Sequence, residues 1–113
     1  MITARMLRIL EDVSGVLGSF VIGREGGLIV ASMPERFVAD DLELTASRIA
    51  RVLSCSAANG TEVHDGVFDF GEGKLLVREF VRGYLCVLCD AAVNMRSLRL
   101  TARLVARGLP AEL

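Results

Sequence analysis

Residues 67–89 read VFDFGEGKLLVREFVRGYLCVLC, and this stretch decides the fold. It contains three short runs of β-favouring residues, which glycine-containing segments separate. The runs cover 67–70, 75–81 and 84–89, and the segments between them cover 71–73 and 82–83. Glycine in connections this short is typical of hairpins, so we expect three consecutive strands. The second and third runs are apolar at nearly every position, which predicts helices on both faces of the sheet.

A helix and two further strands are predicted upstream of this stretch. Apolar residues recur at helical spacing near the amino terminus and indicate an amphipathic helix over 4–12. Runs of β-favouring residues follow at 16–22 and 28–31. The glycines of the segment 23–27 supply the backbone freedom of a tight turn, so these two runs predict a β-hairpin.

A long helix is predicted between the two groups of strands. Asp40 or Asp41 can cap its amino terminus, and the helix extends to about residue 58. Asn59 and Gly60 form its stop signal.

A final helix completes the chain. Asn94 can cap it, and Gly108 and Pro110 are expected to end it. The predicted order is therefore α-β-β-α-β-β-β-α, without a linker or an internal repeat. We expect a single α/β (α+β) domain over residues 1–113, in which one antiparallel sheet lies between helices.

The composition indicates surplus apolar surface. Hydrophobic residues make up 52% of the 113 residues and aromatic residues only 5%, so aliphatic side chains must build the core. So many apolar side chains on a small domain favour an exposed apolar patch, which is typical of an interaction site. The net charge is −1, so no general positive field attracts nucleic acid, and we expect no nucleic-acid partner.

The chain lacks the features of an exported or membrane-spanning protein. Its amino-terminal segment contains Arg5 and Arg8 within an amphipathic pattern, and no stretch approaches the ~18 consecutive apolar residues of a membrane span. Three cysteines do not form a disulfide framework, which suits a reducing compartment. We therefore expect a cytoplasmic protein. Twelve of the thirteen basic residues are arginine, which favours a GC-rich bacterial source.

The succession of elements resembles the Roadblock (dynein light chain type) family, of bacterial MglB-like type. The resemblance spans about residues 4–109, and it includes Gly15-Val16, the Glu25-Gly26-Gly27 hairpin and Leu88-Cys89-Asp90 before Asn94. It implies a Roadblock/longin-like sheet of five antiparallel strands, with the long helix on one face and the first and last helices on the other. It also implies homodimers or heterodimers, in which the strand after the long helix pairs across the two-fold axis, and regulation of a small Ras-like GTPase.

The long helix has apolar residues on two sides. On a helical wheel, Ala46, Ile49 and Leu53 lie within about 40° of Leu42 and predict the buried stripe. A second group, which lies away from this stripe, is predicted to bind a twin subunit or a GTPase. It comprises Leu44, Arg48, Arg51, Val52 and Cys55. The alternative is that Leu44 and Val52 are isolated exposed side chains, which soluble proteins tolerate.

The strand after the long helix is the predicted dimer edge. Its residues are Val67, Phe68, Asp69 and Phe70, and they include neither the proline nor the lysine that often blocks edge pairing. Pairing with a second copy is therefore expected. The alternative is that a loop or a terminus covers this strand.

Three motifs that could indicate chemistry have simpler structural interpretations. Cys86 and Cys89 have C-x-x-C spacing, but residues three apart in a strand point to opposite faces and cannot share a metal ion. The segment 71–74 lacks the spacing of a phosphate-binding loop and is typical of a hairpin turn. His64 is expected to be solvated in a polar loop. We therefore predict no catalytic residue, metal or cofactor.

The last helix has a stripe of arginines with two open interpretations. The stripe comprises Arg96, Arg99, Arg103 and Arg107. It is either a solvated face whose later members complement the helix dipole, or a contact with an acidic protein or an anionic membrane.

Together these features predict a non-catalytic dimeric regulator or adaptor that binds a small Ras-like GTPase and modulates its GTP hydrolysis. Two alternatives stay open at this point. The first is a structural adaptor that forms heterodimers with another Roadblock protein in a larger complex. The second is a small-molecule sensor.

Overall fold

The computed structural model describes residues 2–34, 39–58, 60, 64–69 and 73–112. These residues form three α-helices, a 3-10 helix and five strands. Their bounds are α1 Ile2–Arg8, the 3-10 helix Ile9–Asp12, β1 Val16–Gly23, β2 Leu28–Ser32, α2 Ala39–Ala58, β3 Asp65–Asp69, β4 Gly73–Phe80, β5 Gly83–Asp90 and α3 Met95–Glu112. The predicted order of elements is confirmed.

The five strands form one antiparallel sheet with the order β2-β1-β5-β4-β3. Strands β4 and β5 are internal, which explains why they are apolar at nearly every position. Strands β2 and β3 are the two edges, so the strand predicted to mediate dimerisation does lie at an edge.

Helices cover both faces of the sheet, as predicted. On one face, Leu10 after α1 and Leu98 and Val105 of α3 are buried against Leu85 and Val87 of β5. On the other face a stripe of α2 is buried against strands β1, β4 and β5. This second core comprises Phe20, Ile22, Ala46, Ile49, Ala50, Leu53, Leu75, Val77 and Cys86. Among the described helices, none combines the length and apolar character needed to cross a membrane.

The first helix differs from the prediction of one helix over residues 4–12. The α-helix ends at Arg8, and the chain continues as a 3-10 helix to Asp12. The Val13 N–H donates to the Leu10 carbonyl at 3.1 Å, which is the three-residue spacing of the tighter helix. The chain then turns into β1 at Gly15, where φ is +95°.

The long helix begins slightly earlier than predicted. Because α2 starts at Ala39, Asp40 and Asp41 lie in its first turn and neither is its N-cap. Of the predicted stop signal, Gly60 has a φ of +83°, and Asn59 lies outside the described residues.

The final helix begins as predicted and ends later. The Ser97 N–H donates to Asn94 Oδ1 at 3.1 Å, which confirms the N-cap. The predicted end at Gly108 and Pro110 is wrong, because α3 continues to Glu112. Gly108 packs against Met6, and a Cβ added there would collide with Met6 Cε. The glycine therefore allows close approach of α1 and α3 and does not terminate the helix.

Candidate partner interface

A groove lies between α2 and the β3–β4 part of the sheet. Its volume is about 640 Å³, and its lining is mostly apolar. Residues of α2, of four strands and of the segment after β2 contribute to it. They are Phe20, Met33, Thr45, Arg48, Ile49, Val52, Val67, Phe68, Asp69, Leu75 and Leu88.

The floor of the groove is a row of side chains across three strands. Phe68 of β3 pairs with Leu75 of β4, and Leu75 pairs with Leu88 of β5. Directly paired residues point to the same face of a sheet, so these three side chains form one apolar strip. Phe68 and Leu88 are only half-buried, although they pack against the core beneath α2. Part of this strip therefore lacks cover among the described residues.

The position of α2 explains why the strip is open. An α-helix with its side chains is about 10–12 Å wide and strands are about 4.8 Å apart, so one helix cannot cover five strands. At the β1–β2 turn, a Cβ added to Gly26 would lie 3.2 Å from Ser47 Cα, so α2 packs closely against this turn. The helix therefore lies toward the β2 side of the sheet and leaves the β3 side accessible. The opposite face has two helices, α1 and α3.

The structure brings together only some of the residues predicted to bind partners. From α2, Arg48 and Val52 line the groove, and Val52 is 49% exposed. Leu44, Arg51 and Cys55 are exposed on α2 but are not among the groove-lining residues. Leu44 is 52% exposed. The residues predicted to form one outer face therefore fall into two groups. Arg48 and Val52 form one wall of the groove, and Leu44, Arg51 and Cys55 form a separate exposed strip.

The predicted edge strand lies along the same groove. Val67, Phe68 and Asp69 line it, whereas Phe70 lies outside the described residues. At the start of β3, Asp65 forms ion pairs with Arg78 at 3.3 Å and with Arg99 at 3.6 Å. These contacts hold the start of the edge strand against β4 and α3. One member of the arginine stripe thus has a structural partner.

Of the three residues that form the floor of the groove, sequence reasoning predicted Phe68 and missed Leu75 and Leu88. Leu75 and Leu88 belong to runs that are apolar throughout, so nothing in the local pattern distinguishes a half-buried position from a buried one. Met33 and Thr45 also lacked a periodic signal. The lateral position of α2 on the sheet determines which of these side chains line the groove.

The two cysteines of the C-x-x-C motif lie on opposite faces of the sheet. Cys86 belongs to the core beneath α2, and Cys89 belongs to the core beneath α1 and α3. Burial raises the pKa of Cys86 to about 12, and burial together with the nearby Asp90 carboxylate raises the pKa of Cys89 to about 11. Both are therefore protonated core thiols at neutral pH. No group of three metal-binding side chains occurs within the described residues.

His64 is solvent-exposed, as expected, and it also contacts an acidic residue. Its Nδ1 lies 2.9 Å from Glu79 Oε1, and its carbonyl accepts a hydrogen bond from the Glu79 N–H at 2.7 Å. Arg24 donates to Glu79 Oε2 at 3.3 Å and to the Phe80 carbonyl at 3.0 Å. Hydrogen bonding from His64, and more weakly from Arg24, outweighs desolvation and lowers the pKa of Glu79. The cluster joins the β1–β2 and β4–β5 turns, away from the groove.

Comparison with known proteins identifies a family for the chain. It is 30% identical to a protein of Methanocaldococcus jannaschii named "Uncharacterized protein MJ1340", and the match covers 95% of this chain and 96% of that protein. The chain belongs to the same family as this archaeal protein. No protein-family model matches the chain.

The fold has close counterparts among solved structures. MglB of Myxococcus xanthus superposes with a TM-score of 0.82 at 16% identity, over 96% of this chain and 92% of that one. A Roadblock/LC7 domain from Streptomyces avermitilis gives 0.80 at 16% identity, over 96% and 95%. The chain therefore has the Roadblock/LC7 fold, and the predicted resemblance is confirmed. The family member is archaeal and these structures are bacterial, so the bacterial source stays a prediction.

Proposed function

We propose that the chain is a non-catalytic dimeric regulator or adaptor, whose dimer binds a small Ras-like GTPase and modulates its GTP hydrolysis. The observation that carries this proposal is the open apolar groove beside an edge strand. The floor of the groove is only partly covered, and β3 beside it has no neighbouring strand on its outer side among the described residues. Among the described residues of β3, none is a proline or a lysine, so this edge can accept another strand.

A second copy of the chain can cover the groove and pair with the edge of β3 at the same time. Antiparallel pairing of β3 with β3 of the second copy continues the sheet across a two-fold axis perpendicular to it. The same operation places the two α2 helices next to each other on one side of the sheet. Val52 of each copy then approaches the groove of the other, where Phe68 and Leu75 offer apolar contact. Burial of this half-exposed surface supplies the driving force for association.

The remaining exposed residues of α2 supply a docking platform on the dimer. Leu44 and Cys55 are exposed apolar residues, and Arg51 lies beside them on the same helix. Arginine can pair with a carboxylate through two parallel hydrogen bonds, whereas aliphatic side chains provide the buried centre of an interface. The resemblance to Roadblock proteins supports a GTPase as the partner that this platform accepts.

The first experiment measures association. The double substitution Leu44→Asp and Val52→Asp places one charge in the apolar dimer interface, at Val52, and a second on the adjoining exposed strip of α2, at Leu44, so we expect a folded monomer. Leu104→Asp, at an exposed position of α3 on the opposite face, is the matched control and should remain dimeric. Molar mass is measured by light scattering over a range of protein concentrations. Retention of the dimer in the double variant would contradict the proposed interface.

Hydrogen exchange provides a second measure of strand pairing. Amides of β3 should be protected more strongly as the protein concentration rises, because pairing satisfies them in the dimer. The other edge strand, β2, is the internal control and should not respond. Equal behaviour of the two edges would exclude pairing through β3.

Partner identity is tested with purified proteins. Addition of the chain to a small Ras-like GTPase from the same organism should change the rate of GTP hydrolysis. Val52→Asp alone, which disrupts the dimer interface but retains Leu44 of the docking platform, should not. If the chain instead forms a stable mixed dimer with another Roadblock protein and leaves hydrolysis unchanged, the structural adaptor is the correct function.

A further inference from the structure

A second exposed apolar surface lies on the opposite side of the sheet from the groove. Helices α1 and α3 pack side by side there, so their outward sides face the same way. Leu100 and Leu104 are 57% and 67% exposed, and Ile9, directly after α1, is 50% exposed. Leucines four residues apart lie next to each other on a helix. We call this outward surface of α1 and α3 the helical face.

Most of the charged residues of the helices that form the helical face are arginines. Six of the thirteen basic residues belong to α1 and α3, but only three of the fourteen acidic residues belong to these helices and to the 3-10 helix that follows α1. The arginines are Arg5, Arg8, Arg96, Arg99, Arg103 and Arg107. Because the whole chain has a net charge of −1, the rest of the molecule is distinctly acidic. Helices α1 and α3 are therefore more basic than the rest of the chain.

Most arginines of α3 are not neutralised within the described chain. Arg99 forms an ion pair with Asp65 at 3.6 Å. For Arg96, Arg103 and Arg107, the described residues provide no ion pair. On a helical wheel these three lie within about 60° of Leu100. Unpaired positive charge thus surrounds exposed leucine, and the matching occupant must offer negative charge together with an apolar phase.

We propose that the helical face binds an anionic lipid surface. Leu100 and Leu104 project from the outer side of a helix, so a rigid partner would have to provide a cavity that matches them. A lipid surface deforms around projecting side chains and presents negative headgroups at the level of the arginines. The aliphatic stems of arginine can lie along the apolar region while the guanidinium groups remain among the phosphates.

The test is co-sedimentation with vesicles. The full chain should bind vesicles of equal amounts of phosphatidylglycerol and phosphatidylcholine at low ionic strength. It should not bind pure phosphatidylcholine, and high salt should release it. Charge reversal by Arg103→Glu with Arg107→Glu should weaken binding at least roughly tenfold. Leu100→Ser with Leu104→Ser should also weaken it, because both projecting side chains are lost.

Matched controls come from the β4–β5 turn. Arg82→Glu and Val81→Ser change exposed residues of the same kinds at a site away from the helical face, and both should bind as the unmodified chain does. The altered positions on α3 are exposed, so all variants should unfold at similar temperatures. Absence of binding to the anionic vesicles, or unchanged binding of the arginine variant, would overturn the proposal.

Two further arms distinguish the source of the negative charge. Inorganic phosphate should compete only at concentrations that screen charge generally. Poly-glutamate should bind with no dependence on Leu100 and Leu104, because it has no apolar phase. If the leucine variant binds vesicles normally, the face is a general anion-binding surface and the lipid proposal fails. If an acidic protein needs both the arginines and the leucines while vesicles do not bind, the occupant is a protein. None of these outcomes depends on dimerisation.

Discussion

At the scale of single residues, Glu79 has the most specific prediction. Hydrogen bonding to His64 and Arg24 lowers the pKa of Glu79 below its ordinary value of 4.5. A lowered folded-state pKa stabilises the protein above the unfolded-state pKa, and this contribution is lost as the pH falls through the folded-state value. Glu79→Gln should therefore reduce the free energy of unfolding at about pH 7 by on the order of 0.5 kcal/mol, because the pair is partly solvated. Below the folded-state pKa the difference should vanish.

Urea unfolding at about pH 7 and at a pH below the folded-state pKa of Glu79 measures the effect of Glu79→Gln. Glu25→Gln is the control, since Glu25 is an exposed residue of the β1–β2 turn for which the described chain provides no hydrogen bond. The control should not change the pH dependence. A difference between Glu79→Gln and the unmodified chain that grows in acid would contradict the assigned sign.

Sequence alone could predict the exposure or the sheet face of some residues, but it could not predict every tertiary contact. The exposure of Leu44 and Val52 follows from the helical period, and the opposite faces of Cys86 and Cys89 follow from the period of a strand. The contact of His64 with Glu79 could not be predicted in this way. It depends on the β3–β4 register, which sets the distance between residues that are far apart along the chain.

At the scale of elements, the strands and their order were predictable because short glycine-containing turns separate apolar runs. The end of α3 was not predictable, because a glycine that ends a helix and a glycine that makes room for a neighbouring side chain look identical in sequence. As a stop signal Gly108 would end a helix, whereas as a contact it makes room for Met6. The burial of Leu109 in the core holds the helix past this point. The lateral position of α2, which opens the groove, also depends on tertiary packing.

The junction between the first helical segment and β1 depends on Gly15. Its φ is +95°, and a Cβ added there would lie 2.8 Å from Val93 Cα. The Gly15 carbonyl also accepts a hydrogen bond from the Asp90 N–H at 2.8 Å, which joins the start of β1 to the end of β5. Gly15→Ala should therefore lower the free energy of unfolding by about 1–3 kcal/mol.

Gly27→Ala is the control for this substitution. A Cβ added at Gly27 has no atom within 4 Å, so the expected change is within about 0.5 kcal/mol. Denaturant unfolding of the two variants measures the difference. Equal stabilities would show that the junction adapts to a side chain, and Gly15 would then not be required for the register of β1.

At the scale of the whole molecule, the unequal cover of the sheet underlies both proposals. Two helices cover one face, and their outer side has several arginines and the exposed side chains of Leu100 and Leu104. One helix lies on the other face and leaves an apolar groove along β3. The composition predicted surplus apolar surface, but only the packing divides it between these two sides.

The two proposals combine in a further prediction about affinity. A two-fold axis perpendicular to the sheet keeps both helical faces on the same side of a dimer, so one dimer presents two lipid-binding faces to one vesicle. Linked binding of this kind raises the apparent affinity without any new contact. The dimer-deficient variant Leu44→Asp with Val52→Asp should therefore bind anionic vesicles at least roughly tenfold more weakly than the unmodified chain.

The variant also adds two negative charges, so its control must add the same charge elsewhere. Ile29→Asp with Val81→Asp does so at exposed positions outside β3 and α2, and it should remain dimeric and retain nearly full affinity. Vesicle titration of the three proteins, at a concentration where the unmodified chain is dimeric, measures the effect. If the monomeric variant binds as tightly as the dimer, the two helical faces do not engage one membrane together, and pairing through β3 cannot be the arrangement that binds lipid.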